Sequence, residues 1–437
     1  MEYGVHKKKN ILILSSPNPY KTAGIVALTV YEELKQNEHY NVEMLVGEWD
    51  NYLDPNIFSI NTKFKSYLKF LIKKIKYKLV HLGFIKSTIL NLDRKFSIQD
   101  FDQTNTIYST KSIVKKIRNK PDIVLIIFMQ NFISFNNLFE LNKLFGAKNY
   151  LYLMDMAPFT GACHYAWTCL GYMNQCGKCP GLYSSFEFDQ SFKNWKYKYE
   201  LVSKTDLEVL VCSDYTLGQA VKSSIFKNKT ISKVFLPIEK YPFVNFNITA
   251  SRLNLNLPSD KIIYFFGANS INDERKGYKL LLNSLEILSN IIPDNIRNNV
   301  HLAIAGRNGE DLPENIKFGY TYLGFLNHET LKIAFASADF FISPSIEDSG
   351  PMMVNQSLVR GTPVISFKMG VALDLIENGR NGFLAELGDV DDLVRILKIS
   401  MELDRTKLDE LRANSICTAE HFCSSQKQVN KILDIIK

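Results

Sequence analysis

Two short stretches of the chain carry acids, cations and glycines in an order that can grip a phosphorylated sugar. The first is Ser343-Pro344-Ser345-Ile346-Glu347-Asp348-Ser349-Gly350-Pro351-Met352. The apolar run before it predicts a buried strand over 340–343, Ser349 and Gly350 are capping types, and Pro351 suits the first position of a helix. Glu347 and Asp348 then stand beside a helix amino terminus, where carboxylates accept hydrogen bonds from sugar hydroxyls while free N–H groups take a phosphate. The plainer alternative is that the two acids only cap the helix. In the second stretch, Arg275-Lys276-Gly277 follows the strand-like Phe265-Phe266-Gly267 and opens a helix predicted over 278–292. Adjacent cations there neutralise a diphosphate without a metal, Arg bidentately and Lys as a point charge. A solvated surface role is the alternative. Nearer the amino terminus, Ala23-Gly24 lies between the first strand and its helix, where a glycine lets backbone approach the same phosphates.

A third cluster is chemically unlike these. Cys163, Cys169, Cys176 and Cys179 fall in one window, and Cys176-Gly177-Lys178-Cys179 has the two-residue spacing of a metal knuckle. In a reducing compartment four clustered thiols suit a structural zinc ion, with two disulfides, free thiols or an iron–sulfur cluster as the alternatives. Either kind of crosslink would pin a long loop that shows neither helical nor strand periodicity. Cys212, Cys417 and Cys423 are scattered and read as small buried hydrophobes.

The elements that must position these groups follow from alternation. Short β-branched or aromatic runs near 11–16, 42–46, 122–128, 149–153 and 208–212 alternate with stretches of helical length. A second series lies near 262–266, 301–305, 320–323, 340–343 and 363–366. That pattern predicts an α/β protein of βαβ units around parallel sheets. A linker-like segment from Leu236-Pro237 to about 258 separates the series. The expected organisation is an N-terminal Rossmann-like domain over 1–240 with a cysteine-rich loop over 155–182, a C-terminal Rossmann-like domain over 241–415, and a closing helical segment over 416–437. Two facing halves of this kind enclose a ligand cleft at the carboxyl ends of their strands.

Composition narrows the partners. The 437 residues hold 52 Lys+Arg against 45 Asp+Glu, a net +7, too mild to mark a nucleic-acid binder by itself. No apolar run approaches the roughly 20 residues that cross a bilayer, and the run at 11–16 is too short for a signal peptide, so a cytoplasmic protein is expected. The basic excess concentrates between Lys63 and Lys95, where Lys69, Lys73, Lys74, Lys76 and Lys78 alternate with Phe64, Tyr67, Phe70, Leu71 and Ile75. A basic amphipathic helix of this kind lies on an anionic membrane surface. The alternative is a solvated helix packed on the sheet, and nothing beside it reads as a nucleic-acid motif.

Taken together, Arg275-Lys276-Gly277, Ala305-Gly306, Leu323-Gly324-Phe325, Ala338-Asp339, Pro344-Ser345-Ile346-Glu347-Asp348, Gly361-Thr362-Pro363-Val364-Ile365 and Asn381-Gly382-Phe383-Leu384 resemble the donor-binding half of family 4 retaining glycosyltransferases, in order over about 264–393. The resemblance implies a GT-B fold with a C-terminal helix packing back toward the N-terminal domain, a nucleotide-sugar donor in the C-terminal domain, and no catalytic metal. It implies that Lys276 with Arg275 holds the donor diphosphate, that Glu347 or Asp348 contacts the donor sugar, and that the loop from Ser349 to Met352 offers backbone N–H groups. Gly324 and Phe325 join the donor-binding set. The family's second acid, eight positions on, is Gln356 counted from Asp348, or Asn355 counted from Glu347. The Asp348 to Gln356 register keeps Ser357-Leu358 in phase. The family's strand-end Arg is Ala268 here, which leaves Arg275 as its substitute.

The window from Asp155 to Pro180 likewise resembles the acceptor loop of a cysteine-containing subgroup that builds bacterial surface polysaccharides, with Met154 where a His often stands. Asp155 and His164 are then the polar candidates on the acceptor side. The function this implies is sugar transfer from a nucleotide diphosphate donor to a lipid-linked oligosaccharide, peripheral to the inner membrane. A nucleotide-sugar-binding scaffold, or an epimerase or hydrolase on the same fold, is the alternative.

Overall fold

Parallel strands buried on both faces have to be apolar throughout rather than on alternate residues, and the computed structural model places such runs at the centre of two sheets. It describes residues 8–21, 23–48, 50–62, 92–238, 247–309, 312–350 and 352–437. The chain divides into two compact units, residues 1–212 with 216–234 and 432–437, and residues 213–215 with 235–431.

The first unit is built on a seven-stranded sheet. Its strands in chain order are β1 (Lys9–Ser15), β2 (Tyr40–Val46), β3 (Ile57–Ser59), β4 (Ile123–Ile127), β5 (Lys148–Leu153), β6 (Leu207–Val211) and β7 (Ile231–Lys233), in the spatial order β3-β2-β1-β4-β5-β6-β7. The second unit carries β8 (Ile262–Ser270), β9 (Val300–Arg307), β10 (Gly319–Gly324), β11 (Phe340–Ser343), β12 (Val364–Phe367) and β13 (Gly382–Ala385), ordered β10-β9-β8-β11-β12-β13. Both sheets are α/β and parallel, as the alternation predicts. The sequence reading lacks β3, β7 and β13. The first two are three-residue edge strands whose few residues leave little pattern to read.

Each sheet reverses its direction of growth once. In the first, β1 pairs with both β2 and β4; in the second, β8 pairs with both β9 and β11. Loops leaving the carboxyl ends of two strands that diverge in this way frame a crevice where α/β proteins bind ligands. In the second sheet those loops are the ones carrying Arg275-Lys276 and Glu347-Asp348. Alternate residues of the central strands face two separate cores: Phe266, Ile342 and Ile365 on one side, and Phe265, Phe341 and Val364 on the other.

The helix Tyr278–Ile291 matches its predicted span, and the closing helix Ser425–Ile436 follows an eighteen-residue helix, Arg405–Phe422. The segment expected as a linker contains the short helix Ile248–Asn254, capped by the Asn247 side chain. The basic stretch from Lys63 to Lys86 and Pro351 lie outside the described residues. Among the described residues no helix is long and apolar enough to cross a membrane.

A buried ionic knot fixes the start of the two site-bearing strands. Asp339, just before β11, accepts from Arg252 Nη2 at 2.6 Å and from the Ile263 backbone N–H of β8 at 2.8 Å. Its other oxygen accepts from Arg412 Nη2 at 2.8 Å. Removing the carboxylate strands two largely buried guanidinium groups, which costs about 3–5 kcal/mol. Asp339→Ala is therefore expected to lower the free energy of urea unfolding by about that amount. An unchanged midpoint would show that the knot contributes nothing net.

Candidate functional site

The loop after β8 turns through a short 3₁₀ helix, Glu274–Lys276, because Asp273 caps it: one carboxylate oxygen accepts from the Arg275 N–H, the other from Arg275 Nη2 at 2.6 Å. Gly277 closes the turn at φ +67°, a left-handed conformation that favours glycine. Any side chain here is also barred by the neighbouring loop, since a Cβ would fall 1.7 Å from the Pro344 carbonyl oxygen. The loops after β8 and β11 are stitched together directly, with the Ile346 N–H donating to the Arg275 carbonyl at 2.8 Å.

This stitching brings the charged candidates together. Lys276 Nζ lies 2.5 Å from Asp348 Oδ2, and Arg275 Nη1 is 3.9 Å from the same oxygen. Asp348 Oδ1 accepts from the Gly350 N–H at 3.3 Å, so one amide of the expected phosphate-binding loop is engaged with the acid itself. Burial disfavours the Asp348 charge, but the Lys276 and Arg275 cations outweigh it and hold the carboxyl below the usual range. Glu347 is also buried and behaves oppositely. Burial, then the neighbouring Asp348 charge, push it up to about 7, against Arg275 and a hydrogen bond with Tyr215. Near neutral pH Asp348 is thus ionised while Glu347 is only partly so.

Ser349 is buried, and its carbonyl accepts from Ser213 Oγ at 2.6 Å. The helix begins at Met352 and runs to Val359. Its two amide candidates face different surroundings. Asn355 donates from Nδ2 to Cys423 Sγ at 3.4 Å. Gln356, one helical turn from Met352, borders a small cavity with His328, Lys332 and Arg360, and its Oε1 has no hydrogen-bond partner among the described residues. Gly324 ends β10 at φ +67°, and the exposed Phe325 ring carries the Arg307 guanidinium 4.4 Å from its centroid. Sequence reasoning missed Arg307 and Tyr215. Arg307 follows the Ala305-Gly306 motif directly, which is the signal that points to it.

In the first unit, Gly24 opens the helix Gly24–Lys35 and packs on the preceding loop; a Cβ there would fall 1.9 Å from Asn18 O. Close packing alone therefore requires this glycine. The structure joins the two acceptor-side candidates: His164 Nδ1 is 2.8 Å from Asp155 Oδ2. Asp155 Oδ1 also accepts from the Ala157 N–H at 2.8 Å, and Gln130 Nε2 reaches both carboxylate oxygens at 3.3 Å. Gln130 lines a small cavity, of about 40 Å³, with Asp100, Asn131, Ser134, Pro158 and Lys198. Lys198 is itself buried, and its ammonium donates to the carbonyls of Ala157 at 2.6 Å and Thr160 at 2.8 Å. Burial pushes it down to about 8.

Cys163, Cys169, Cys176 and Cys179 border a second small cavity, of about 20 Å³, and all four are free thiols. In their present orientation no group of three His, Cys, Asp or Glu side chains among the described residues stands close enough to hold an ion.

With this geometry in hand, residues 260–400 match the family described as glycosyl transferases group 1. These residues are thus similar to a group 1 glycosyl transferase domain. The matched stretch contains β8 to β13 and every donor-side candidate above except Gly24. Among curated relatives, the chain is 25% identical over 246 residues to an uncharacterised glycosyltransferase of Methanocaldococcus jannaschii, covering 52% of this chain and 59% of that protein. It is 26% identical over 231 residues to an uncharacterised 41.2 kDa protein of the cps region of Klebsiella pneumoniae, covering 48% of this chain and 58% of that one. The matches thus span somewhat over half the length of these two relatives. Among solved structures, Anabaena HepE in complex with UDP and glucose superposes with a TM-score of 0.60 at 14% identity, over 98% of this chain and 99% of that one. Such likeness establishes the fold, two parallel Rossmann-like sheets that match those of GT-B glycosyltransferase structures.

The second unit has a measurable pH signature. The Glu347 carboxyl ionises at 4.5 when unperturbed and at about 7 in the fold. A folded state that keeps its proton longer than the unfolded one loses stability as pH rises between those values and is level above them. Glu347→Gln removes this ionisation, so its unfolding free energy is expected to gain on that of the wild type across that window, measured by urea titration at several pH values. A constant difference throughout would show that Glu347 titrates normally.

Proposed function

We propose that the protein is a retaining glycosyltransferase that moves a sugar from a nucleoside diphosphate donor to an oligosaccharide acceptor. The observation that carries this reading is the Lys276 ammonium held 2.5 Å from the buried Asp348 carboxylate where the second sheet reverses direction. A diphosphate competes with Asp348 for that ammonium. Once it takes over the lysine, the carboxylate accepts hydrogen bonds from sugar hydroxyls, and the cation stabilises charge as the leaving group departs. Arg275, held by Asp273, supplies a second positive charge. Glu347, ionising near 7, can either donate to or accept from a sugar hydroxyl. Gln356, with its free carbonyl oxygen, is assigned to the ribose, and the Arg307–Phe325 pair to the face of the base. In this reading protein cations, not a metal, meet the diphosphate.

The acceptor is assigned to the first unit, at the cavity lined by Gln130 and Lys198, with the Asp155–His164 pair behind it. The UDP and glucose in the HepE structure support a uridine diphosphate sugar as the first donor to try, and the cps-region relative supports a part in polysaccharide synthesis. A lipid-linked acceptor fits the basic, aromatic-rich stretch from Lys63 to Lys95, which would bring the protein to the cytoplasmic face of an anionic membrane.

The test is incubation of the purified chain with a panel of nucleotide sugars and lipid-linked acceptor. Acceptor-dependent release of nucleoside diphosphate is expected, and Lys276→Ala should lower kcat/KM by about 10²–10³-fold. Donor binding without any release would instead mark a binding protein, and full activity in the lysine variant would remove the assignment of Lys276. Separately, Lys73→Glu, Lys74→Glu and Lys76→Glu combined should abolish co-sedimentation with phosphatidylglycerol vesicles; unchanged sedimentation would contradict the membrane assignment.

A further inference from the structure

Exposed aromatic rings are ordinary when scattered and informative when they adjoin. The helix Gln190–Lys204, between β5 and β6, carries Phe192, Trp195 and Tyr199 at the spacing of a single helical face. Neighbouring centroids in this row are 5.8 and 5.3 Å apart, and Phe188 extends it 4.9 Å beyond Phe192. Phe188 and Tyr199 are 51% and 46% exposed. Trp195 is fixed in place: its Nε1 donates to Ser224 Oγ at 2.9 Å, and that hydroxyl donates to the Tyr172 carbonyl at 3.2 Å. The Trp195 and Tyr199 rings lie 24° from parallel, an offset stack that leaves part of each face uncovered.

These two rings line an open groove of about 570 Å³ in the first unit, with the segments 173–175 and 224–229. Asn174, Gln175, Ser203 and Asn228 are exposed along it and bring three amides and a hydroxyl. Lys227 and Lys229 bring positive charge, and among the described residues no carboxylate lines the groove. Lys229 is anchored there, since its Nζ donates to the Thr205 carbonyl at 2.7 Å.

We propose that this groove binds an oligosaccharide, the growing acceptor chain, at a subsite separate from the small cavity of Gln130 and Lys198. A hexose is amphipathic: its ring presents C–H groups on a face and hydroxyls around the rim. The C–H face seats on an aromatic ring as other apolar surface does. The hydroxyls each donate and accept, a demand that an amide meets with one side chain and to which an ammonium adds donors. An apolar peptide in the same place would bury the amides and lysines without partners. A membrane would need rings that protrude, whereas Trp195 and Tyr199 form the wall of a concavity. The placement fits as well. One helix turns Lys198 into the small cavity and Trp195 with Tyr199 into the groove, so a chain with its reacting end at the first can rest its older residues in the second. As an acceptor subsite the groove rests on the transfer reaction proposed above; as a sugar-binding surface it does not.

The test is calorimetric titration of the full chain, without donor, using maltohexaose, cellohexaose, mannohexaose and hexagalacturonate. Saturable binding of at least one is expected. Tyr199→Ala, at an exposed position, should weaken it about tenfold. Ser203→Arg, which fills the groove from a second exposed position, should weaken it too, and Cys417→Ser should leave it unchanged. No saturable binding of any of the four sugars, or binding unaltered in both groove variants, would overturn the inference. So would a Tyr199→Ala protein that loses co-sedimentation with phosphatidylglycerol vesicles while sugar binding stays as it was, because the rings would then serve a membrane. Sugar binding by a chain that transfers nothing would remove the proposed function and leave the sugar-binding groove standing.

Discussion

The contact between Lys276 and Asp348 is possible only because β11 lies beside β8, so that two loops distant in sequence leave the sheet at adjacent points. Had β8 been flanked by β9 and β12 instead, the cations and the acids would have been a strand apart. The parallel register of β8 with β11 is therefore the constraint from which the geometry of this charged site follows. Asp339 anchors the far end of both strands, and the backbone hydrogen bond from Ile346 to Arg275 joins their near ends. Between these two clamps the charged side chains have little freedom to separate.

Neighbouring carboxyls in a low-dielectric site seldom ionise together, and Glu347 and Asp348 show how a protein divides the work. Asp348 has both cations within 4 Å and stays charged. At Glu347 burial and the Asp348 charge outweigh Arg275 and raise the carboxyl. The pair can present an acceptor and a donor side by side at neutral pH, which a sugar bearing several hydroxyls can use.

Much of this was readable before any coordinates. Buried parallel strands such as Phe340–Ser343 are unbroken apolar runs, and Glu347-Asp348 ends that run abruptly, so strand, loop and acid positions all stand out. Gly277 is conspicuous after two cations. Sheet order is another matter. Nothing local in the chain says that β8 neighbours β11, so the Lys276–Asp348 pair is invisible to spacing alone. The same holds for Asp155 and His164, which meet inside a loop without periodicity, and for Tyr215, which reaches Glu347 from a distant part of the chain. The short edge strands β3 and β7 escape because three residues carry no repeat. Resemblance to a family supplied the order of motifs, while the partners each motif meets came from the fold.

Gly277 illustrates how tightly the two loops are fitted. The Pro344 carbonyl occupies the space where a side chain at 277 would be, so neither loop has a shape of its own independent of the other. Exchanging one of them for the corresponding loop of a related protein would place a foreign backbone against an unaltered partner. Attempts to graft either loop from another protein must therefore carry both segments across as a single cassette.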